Sequence, residues 1–261
     1  MNIQVLIATM NQNDHSLLNK MNIQSDAIVA NQSNYNQIEN FIYKGHKIKY
    51  LTFNEIGVGL NRNNALMRAT NEISIIADDD LIYVDDYVDI VKKSFTENPT
   101  ADVIIFNLNE SKQERYIIKK KFKVGFNNYM RFGAARIAFR TKSITKSGIT
   151  FNLHFGGGAE YSAGEDVLFL NDCLRKGLKI IAVPVSIACL TETRKSTWFN
   201  GYTDKFFIDK GFLFASISKR WAWFLSLQFC LRRRKMFKND KSWMEAFKLM
   251  LIGVKENKKR N

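Results

Sequence analysis

A run of three aspartates, Asp78, Asp79 and Asp80, directly follows the apolar residues 73–77 and constrains this chain more than any other feature. The apolar run is typical of a buried β-strand, so three negative charges meet at one strand end. Crowded carboxylates raise one another's pKa unless a cation lies between them. Mg²⁺ or Mn²⁺ fits such a cluster, because these ions take oxygen ligands and often share them with a diphosphate. The alternative is a solvated turn in which Asp79 or Asp80 caps the next helix.

Short apolar runs alternate with helical patterns through the first half of the chain. Strands are expected at residues 3–8, 27–30, 48–53, 73–77 and 103–106, and helices after Gly59 and over residues 85–98. Strand-like stretches at 116–124 and 134–139 lead into a glycine-rich loop at 155–164. Strands separated by helices predict a parallel α/β sheet that binds ligands at the carboxyl ends of its strands. The aspartates lie at such an end.

The positive charge is concentrated in the C-terminal quarter of the chain. The formal net charge is +14, and residues 194–261 hold 17 Lys/Arg against 5 Asp/Glu, whereas residues 1–193 hold 22 against 20. This asymmetry predicts a tail that meets an anionic partner, attached to a nearly neutral body. Three scattered cysteines indicate a reducing compartment, and we expect no signal peptide at the N-terminus.

The tail combines aromatic and basic residues. Residues 211–231 are rich in Phe, Trp and Leu, and Arg232, Arg233, Arg234 and Lys235 follow at once. The longest uncharged run, 221–231, is about half of what spans a bilayer. The pattern favours a helix lying in the interface of an anionic membrane. A core-packing helix with a basic end is the alternative. The four tryptophans are expected to pack on protein or lipid: Trp198, Trp221, Trp223 and Trp243.

Two further blocks flank the aspartates in a recognisable order. Residues 57–63 read Gly-Val-Gly-Leu-Asn-Arg-Asn and precede the strand, and Gly164-Glu165-Asp166 opens a helical stretch that ends at Gly177. The arrangement resembles GT-A glycosyltransferases of family 2, in which G-L-S-x-A-R-N precedes a strand ending in D-x-D, and a later G-E-D carries the catalytic base. The matching positions are Gly57, Arg62 and Asn63, then Asp78 and Asp80, then the G-E-D block. The resemblance covers about residues 1–190.

The resemblance implies an α/β GT-A fold, Rossmann-like with a mostly parallel central sheet. It implies a catalytic domain over residues 1–193, with a nucleotide-sugar-binding half (1–110) and an acceptor-binding half (111–193). Residues 194–261 would form a helical, basic and aromatic extension that associates with a membrane. The implied activity is inverting, metal-dependent transfer of a sugar from a nucleotide-diphosphate sugar, a UDP-sugar by family analogy, to a saccharide acceptor.

The resemblance also assigns roles at the donor side. Asp80 is expected to bind Mn²⁺ or Mg²⁺ directly, and Asp78 to reach the metal through water or to contact the ribose. Arg62 is expected to contact the nucleotide or diphosphate, with a surface salt bridge as the alternative. Alternation along an extended segment points Asp79 away from its neighbours. The remaining nucleotide-binding candidates are Thr9, Asn11, Asn31 and Asp79 itself.

At the acceptor side, Asp166 is expected to act as general base, or in the alternative to cap its helix. Glu165 would orient the acceptor. Gly157 and Gly158 would belong to a lid over the site or to a plain flexible loop. His154 would line the pocket or be a partly buried structural histidine.

Two positions depart from the family pattern. Asn31 stands where the family usually has aspartates, which leaves the nucleotide base open. The segment 190–193 lacks the histidine that sometimes completes the metal shell, and Glu192 is its candidate replacement.

The expected partners are a saccharide or polyprenyl-diphosphate-linked acceptor and an anionic membrane surface. The setting would be surface (capsule-type) polysaccharide synthesis, with the protein cytoplasmic and peripheral at the inner face of the cell membrane. An oligomer through the C-terminal helices is a further expectation. A nucleotidyltransferase is the alternative enzyme, but residues 9–13 lack the glycine-rich, Lys-bearing loop it needs. A nucleic-acid-binding module would leave the aspartates unexplained, so no nucleic acid partner is expected.

Overall fold

A computed structural model of the chain describes residues 1–111, 115–191, 199 and 201–260. The chain divides into two compact units. The first comprises Met1–Leu153 and Glu165–Lys195, and the second comprises His154–Gly164 and Ser196–Asn261. The domain boundary predicted at residue 193 falls within residues 192–198, outside the described residues. The glycine-rich loop was expected in the catalytic domain, whereas the structure groups it with the C-terminal helices.

The N-terminal half of the first unit is a parallel α/β arrangement with one added hairpin. Its elements are β1 (Ile3–Met10), α1 (Leu17–Lys20), β2 (Asp26–Gln32), β3 (Gln37–Tyr43), β4 (His46–Phe53), α2 (Val58–Leu66) and β5 (Ile73–Asp78). Strands β4, β2, β1 and β5 are parallel neighbours in that order. Strand β3 pairs antiparallel with β4 at the edge of the sheet.

The rest of the first unit completes a mixed sheet. Its elements are β6 (Leu81–Tyr83), α3 (Tyr87–Glu97), β7 (Val103–Asn109), β8 (Phe122–Val124), β9 (Ile137–Arg140), α4 (Thr141–Lys146), α5 (Glu165–Arg175) and β10 (Ile180–Leu190). From β5 the sheet continues through β9, β7, β10 and β6. Strand β9 is antiparallel to both β5 and β7, and β10 is parallel to β7. Parallel pairing therefore dominates the half that carries the aspartates.

Strands β1, β2, β5 and β7 are buried on both faces, which explains their continuous apolar runs. Successive side chains of β1 alternate, so that Val5 and Ile7 pack into one core and Leu6 into the other. The first core continues through Tyr87 and Phe95, and the second through Phe139. A sheet covered on both faces leaves its strand ends as the place for a polar site.

Some predicted elements differ from the observed ones. The strand expected over residues 116–124 is confined to Phe122–Val124, and the one expected over 134–139 begins as a 3₁₀ turn before β9. Strand β10 was not predicted. It contains Pro184, which lacks an N–H for the ladder, and its register with β7 shifts between Ala182 and Ser186. Because of the proline and the register shift, this strand does not follow a regular alternation of apolar and polar residues, and the sequence pattern did not reveal it.

The second unit contains three helices, α6 (Asp204–Ile217), α7 (Ala222–Phe237) and α8 (Trp243–Arg260). The predicted helical character of the tail is therefore confirmed. Their shared core includes Phe207, Phe237 and Met250. None of the described helices is long and apolar enough to cross a bilayer.

The glycine-rich loop is a folded part of the second unit. The Gly156 N–H donates to the Tyr161 carbonyl at 2.8 Å, and the Tyr161 N–H donates to the His154 carbonyl at 2.9 Å. The Tyr161 ring stacks on Phe212 of α6 with 3.9 Å between ring centroids. Backbone pairing and aromatic packing therefore anchor this loop to α6, which accounts for its grouping with the tail.

Two glycines permit helices α6 and α8 to cross in direct backbone contact. A Cβ built on Gly211 would lie 1.9 Å from the Met250 carbonyl oxygen, and one built on Gly253 would lie 1.9 Å from that of Ile208. Real carbon atoms do not approach so closely, so any larger residue must push the two helices apart.

We expect Gly253→Ala to lower the free energy of unfolding of the second unit by about 2 kcal/mol, because separated helices lose packing throughout their shared core. Thermal unfolding followed by circular dichroism measures the change. Gly157→Ala is the matched control, since a Cβ there meets nothing within 4 Å. Equal melting temperatures for the two variants would contradict the close crossing.

Candidate active site

The three aspartates occupy the end of β5, beside the end of β1. Asp78 is in register with Ala8, and the Thr9 hydroxyl donates to Asp79 Oδ2 at 2.6 Å. The Asp80 carbonyl accepts two hydrogen bonds from Thr191, one from its N–H at 2.8 Å and one from its hydroxyl at 3.0 Å. Asp78 and Asp79 have different partners, as alternation predicts.

The three carboxylates at this strand end are close enough to repel one another. Burial raises the pKa of Asp80, and the neighbouring charges of Asp78 and Asp79 raise it further, to about 6. The pKa of an aspartate side chain is normally about 4, so Asp80 holds its proton more tightly than an ordinary carboxyl group. A cation placed against Asp80 would offset the repulsion, which is the situation that the sequence suggested.

Arg62 connects the aspartates to the helix that carries the predicted base. Its Nη2 donates to Asp78 Oδ1 at 2.6 Å, and its Nη1 donates to Glu165 Oε1 at 2.8 Å. The Arg62 side chain is only 6% exposed and that of Glu165 12% exposed. The guanidinium lies over the Phe151 ring, 5.4 Å from its centroid. The alternative of a surface salt bridge is therefore wrong, because the Arg62 guanidinium and its partner Glu165 are both nearly buried, although Asp78 is 37% exposed.

The charge state of Arg62 follows from its partners. Burial by itself would lower its pKa, but the charges of Asp78 and Glu165 outweigh that effect and raise it. Arg62 Nε is buried without a hydrogen-bond partner among the described residues. Both terminal nitrogens serve carboxylates, so the contact with a nucleotide or diphosphate stays a prediction.

Helix α2 holds Arg62 in place through asparagines that bind backbone rather than solvent. Asn61 donates to the carbonyls of Thr9 at 3.0 Å and Ala30 at 2.8 Å, which ties the ends of β1 and β2 together. Asn63 exchanges two hydrogen bonds of 2.8 Å with the backbone of Phe151. Sequence reasoning missed the role of Asn61, although its place between Gly57 and Arg62 in the matched segment was a signal.

Asn31 has a structural role that the sequence did not predict. Its Oδ1 accepts from the Gln12 N–H and its Nδ2 donates to the Gln12 carbonyl, each at 3.0 Å. The side chain is buried and braces the loop after β1. Both amide atoms of Asn31 are thus engaged with Gln12. A contact between Asn31 and the base or ribose of a nucleotide stays a prediction.

The loop after β1 is also fixed at its start. Asn11 is exposed and has a φ of 54°, a left-handed conformation that asparagine tolerates. Its N–H donates to the Gln32 carbonyl at 2.7 Å, and Gln32 Oε1 accepts from the Gly57 N–H at 2.6 Å. Thr9 is buried with its hydroxyl on Asp79. The predicted nucleotide-binding residues thus surround one set of strand ends.

Asp166 lies in the first turn of α5, where its negative charge is favoured by the helix dipole. Its Oδ1 accepts from the Val167 N–H at 2.7 Å. A Cβ on Gly133 would lie 3.4 Å from Asp166 Oδ2, so the backbone there passes close to the carboxylate. Glu165, one residue earlier, is held by Arg62. The structure thus joins the D-x-D and G-E-D blocks through one arginine.

The remaining acceptor candidates, His154, Gly157 and Gly158, belong to the second unit. His154 is exposed, so the interpretation as a partly buried structural histidine is wrong. The hydrogen bonds and the aromatic packing of the loop contradict a plain flexible loop. The lid role stays a prediction.

The carboxylates at the end of β5 could hold a metal ion through only one or two protein ligands. Within the described residues there is no group of three or more His, Cys, Asp or Glu side chains placed to hold a metal ion. Asp78 is paired with Arg62 and Asp79 with Thr9, which leaves Asp80 as the carboxylate best suited to a cation. Mg²⁺ commonly binds through one or two carboxylates plus phosphate oxygens, so these residues fit a metal that arrives with a diphosphate. Glu192 lies outside the described residues.

A family model described as Glycosyl transferase family 2 matches residues 22–156, just over half of the chain. The chain belongs to this family. The prediction of a glycosyltransferase with a nucleotide-sugar donor is thereby confirmed at the level of the family. No curated protein matches the sequence. The alternative of a nucleotidyltransferase or a nucleic-acid-binding module is set aside.

Solved structures share the fold of this glycosyltransferase. S. aureus TarS 1-349 in complex with UDP-GlcNAc is 16% identical with a TM-score of 0.66, and the match covers 97% of this chain and 82% of that one. The same fragment in complex with UDP is 15% identical with a TM-score of 0.65, covering 97% and 81%. A longer TarS structure is 17% identical with a TM-score of 0.61, covering 94% and 46%. The predicted GT-A fold is confirmed.

We expect Arg62→Gln to lower the free energy of unfolding by about 3 kcal/mol, because Glu165 would keep its charge in a nearly buried place without a cationic partner. Asp78 is 37% exposed, so solvent screening makes its share smaller. Urea denaturation measures the loss. Lys142→Gln, an exposed control, should change stability by less than about 0.5 kcal/mol. Adding Glu165→Gln should recover part of the loss, and strict additivity of the two changes would contradict the ion pair.

Proposed function

We propose that this glycosyltransferase moves a sugar from a UDP-sugar to a saccharide acceptor with inversion at the anomeric carbon, in the presence of Mn²⁺ or Mg²⁺. The observation that carries the proposal is the pair of ion contacts made by Arg62, with Asp78 at 2.6 Å and Glu165 at 2.8 Å. These contacts bring the donor-side aspartates and the helix of the proposed base into one site.

The TarS complexes support a uridine nucleotide as the donor. Those complexes contain UDP-GlcNAc and UDP, and they share the fold of this chain. In this chain the loop after β1, the end of β2 and the start of α2 would hold the nucleotide, with Thr9, Asn11, Asn31 and Asp79 around it. The proposed donor is therefore a UDP-sugar, with UDP-GlcNAc the first to test.

The proposed metal ligand is Asp80, with Asp78 close by and still paired with Arg62. When bound, Mn²⁺ or Mg²⁺ would neutralise charge on the departing diphosphate as a Lewis acid. The chain's own contribution is to fix the carboxylates: Arg62 holds Asp78, and Thr9 holds Asp79.

The proposed base is Asp166. Its carboxylate takes the proton of the acceptor hydroxyl while that oxygen bonds to the anomeric carbon. The bond from that carbon to the diphosphate oxygen breaks, and the leaving diphosphate keeps the electron pair. One displacement inverts the configuration. Glu165, held by Arg62, would orient the acceptor hydroxyl toward Asp166.

We expect Asp80→Asn to abolish the divalent-ion dependence of UDP binding, because the substitution removes the charge and keeps the shape. Isothermal titration with UDP, with and without Mn²⁺, measures the effect, and an unchanged circular dichroism spectrum verifies the fold. The control is Asp89→Asn, which removes an equally negative but highly exposed side chain from α3. A retained Mn²⁺ dependence in Asp80→Asn would exclude Asp80 as the ligand.

We expect Asp166→Asn to bind UDP-sugar normally and to lower turnover by at least ~100-fold, the smaller end of general-base contributions. Release of UDP in the presence of acceptor measures turnover. Asp172→Asn, on the exposed side of the same helix, is the control and should keep its activity. Near-normal turnover in Asp166→Asn would reduce Asp166 to a helix-capping residue.

For the setting, we propose a lipid-linked acceptor, such as a polyprenyl-diphosphate oligosaccharide, used in surface polysaccharide synthesis. The enzyme would work in the cytoplasm, peripheral to the inner face of the membrane. Support comes from the second unit, where Trp221 and Trp223 at the start of α7 are about half exposed, at 53% and 52%, and basic residues occupy the last turn of the same helix. Such residues favour an interfacial location. Trp198 lies outside the described residues, and an oligomer through these helices stays a prediction.

A further inference from the structure

Strand β3 lies at the end of the sheet and has a neighbour on one side only. It pairs antiparallel with β4 in an unbroken register that runs from Gln37–Thr52 to Tyr43–His46. Within the described part of the chain, no backbone group of residues 37–43 forms a hydrogen bond to a residue outside β4. Its outer side therefore presents a row of N–H and C=O groups that another strand can bind.

The hairpin that carries this edge is held in place before any partner arrives. Lys44 and Gly45 join β3 to β4 with φ values of 49° and 84°, the left-handed pair of a tight two-residue turn. On one face of β3, Phe41 stacks on His15 with 4.4 Å between ring centroids, and His15 Nε2 lies 3.2 Å from Glu39 Oε2. Because the strand is already extended, pairing costs little conformational entropy.

The opposite face of β3 exposes two isoleucines. Ile38 is 54% exposed and Ile42 is 65% exposed. Leu51, the β4 partner of Ile38, is fully buried, so the core that covers this face of the sheet ends between β4 and β3. A neighbouring strand that covered the two isoleucines would remove apolar surface from water, which is favourable.

This edge lacks the features that usually keep an edge strand from pairing. Residues 37–43 contain no lysine, arginine or proline, and their register with β4 has no bulge. The only charged residue is Glu39, which lies on the face that packs against His15. Natural edge strands commonly carry such protection, so its absence indicates an edge that is used.

The side-chain pattern of β3 is complementary to itself. If two antiparallel copies pair about Asn40, Ile38 of each copy faces Ile42 of the other, so the apolar pair forms twice. No charged residue of β3 then faces a like charge directly. Lys49 is the β4 partner of Asn40. The two Lys49 residues would be three strand spacings apart, about 14 Å, which exceeds the Debye length of about 8 Å.

We propose that β3 pairs antiparallel with β3 of a second copy of this chain, in a two-fold symmetric dimer whose sheet continues from one first unit into the other. Two-fold dimers are the commonest symmetric assemblies, because one self-complementary surface serves both copies. The contact is one strand from each copy, so we expect a reversible dimer with a micromolar dissociation constant. This dimer uses the first unit and not the C-terminal helices.

Single cysteines in the full-length protein test the register. Cys189→Ser removes the exposed native thiol and leaves the buried Cys173 and Cys230 in place. In that background, Asn40→Cys should cross-link to its own copy with a short bifunctional maleimide, because directly opposed residues have Cβ atoms about 5 Å apart. Gln37→Cys, exposed on the same strand, is the control, since its own copy would lie roughly 20 Å away at about 3.4 Å per residue.

The register also predicts a preferred mixed pair. A mixture of Ile38→Cys and Ile42→Cys proteins should cross-link at least about tenfold faster than either protein alone, because these two positions face each other. Cross-linking of Gln37→Cys as fast as Asn40→Cys, or no preference for the mixture, would overturn the proposed dimer.

The oligomeric state provides an independent measurement. Sedimentation equilibrium of the wild type should show a monomer–dimer equilibrium in the micromolar range. Ile42→Lys places a charge against Ile38 of the other copy twice and should raise the dissociation constant at least about tenfold. Phe126→Lys is the control and should leave it unchanged, because Phe126 is 59% exposed but follows β8, near the other end of the sheet.

Circular dichroism verifies that both lysine variants are folded, and the cysteine measurements do not depend on them. A wild type that stays monomeric would overturn the proposal. A dimer that Ile42→Lys leaves intact would also overturn it and would assign the contact to another surface, such as the C-terminal helices. The dimer is independent of the proposed reaction, since no residue of β3 is among the proposed nucleotide-binding or catalytic residues.

Discussion

The site depends on one buried cation. Arg62 carries a charge inside the protein and is stable there because Asp78 and Glu165 both bind it, from positions 16 and 103 residues away in the chain. Removing a charge from water costs several kcal/mol, which only well-placed partners offset. Any arrangement that separated α2, the end of β5 and the start of α5 would leave at least one of these charges uncompensated. The ion pairs therefore specify how the donor-side and base-side blocks meet.

Side-chain amides provide the rest of the framework. Asn61, Asn63 and Asn31 each make two hydrogen bonds to backbone groups. Asn61 binds the ends of β1 and β2, Asn63 binds Phe151, and Asn31 binds the loop after β1. Loops cannot satisfy all of their own polar groups, and buried ones need partners from elsewhere. By providing those partners, the amides hold the loops in one shape before a ligand arrives. A prearranged site loses less entropy when the donor binds.

The second unit has a different physical basis. Its helices pack through the contact of α6 with α8, where Gly211 and Gly253 let the backbones touch, and through an aromatic core around Phe207 and Phe237. With that core complete, the tryptophans of α7 and the cations of the α7–α8 turn remain on the surface. The two units therefore differ in their side-chain chemistry. Carboxylates lie at the strand ends of the first unit, and cations and aromatic residues lie on the helices of the second.

The sequence by itself determined the parallel strands β1, β2, β4 and β5, the position of the aspartates at a strand end and the start of α5 at the Gly164-Glu165-Asp166 block, because apolar runs and short motifs are local. It also identified the family. It did not determine that Arg62 is buried between two carboxylates, that Asn31 braces a loop, that β10 enters the sheet with Pro184, or that the glycine-rich loop packs on α6. Those outcomes depend on which distant segments pair, and the pairing is decided by the burial and hydrogen bonding of the whole fold rather than by any local pattern.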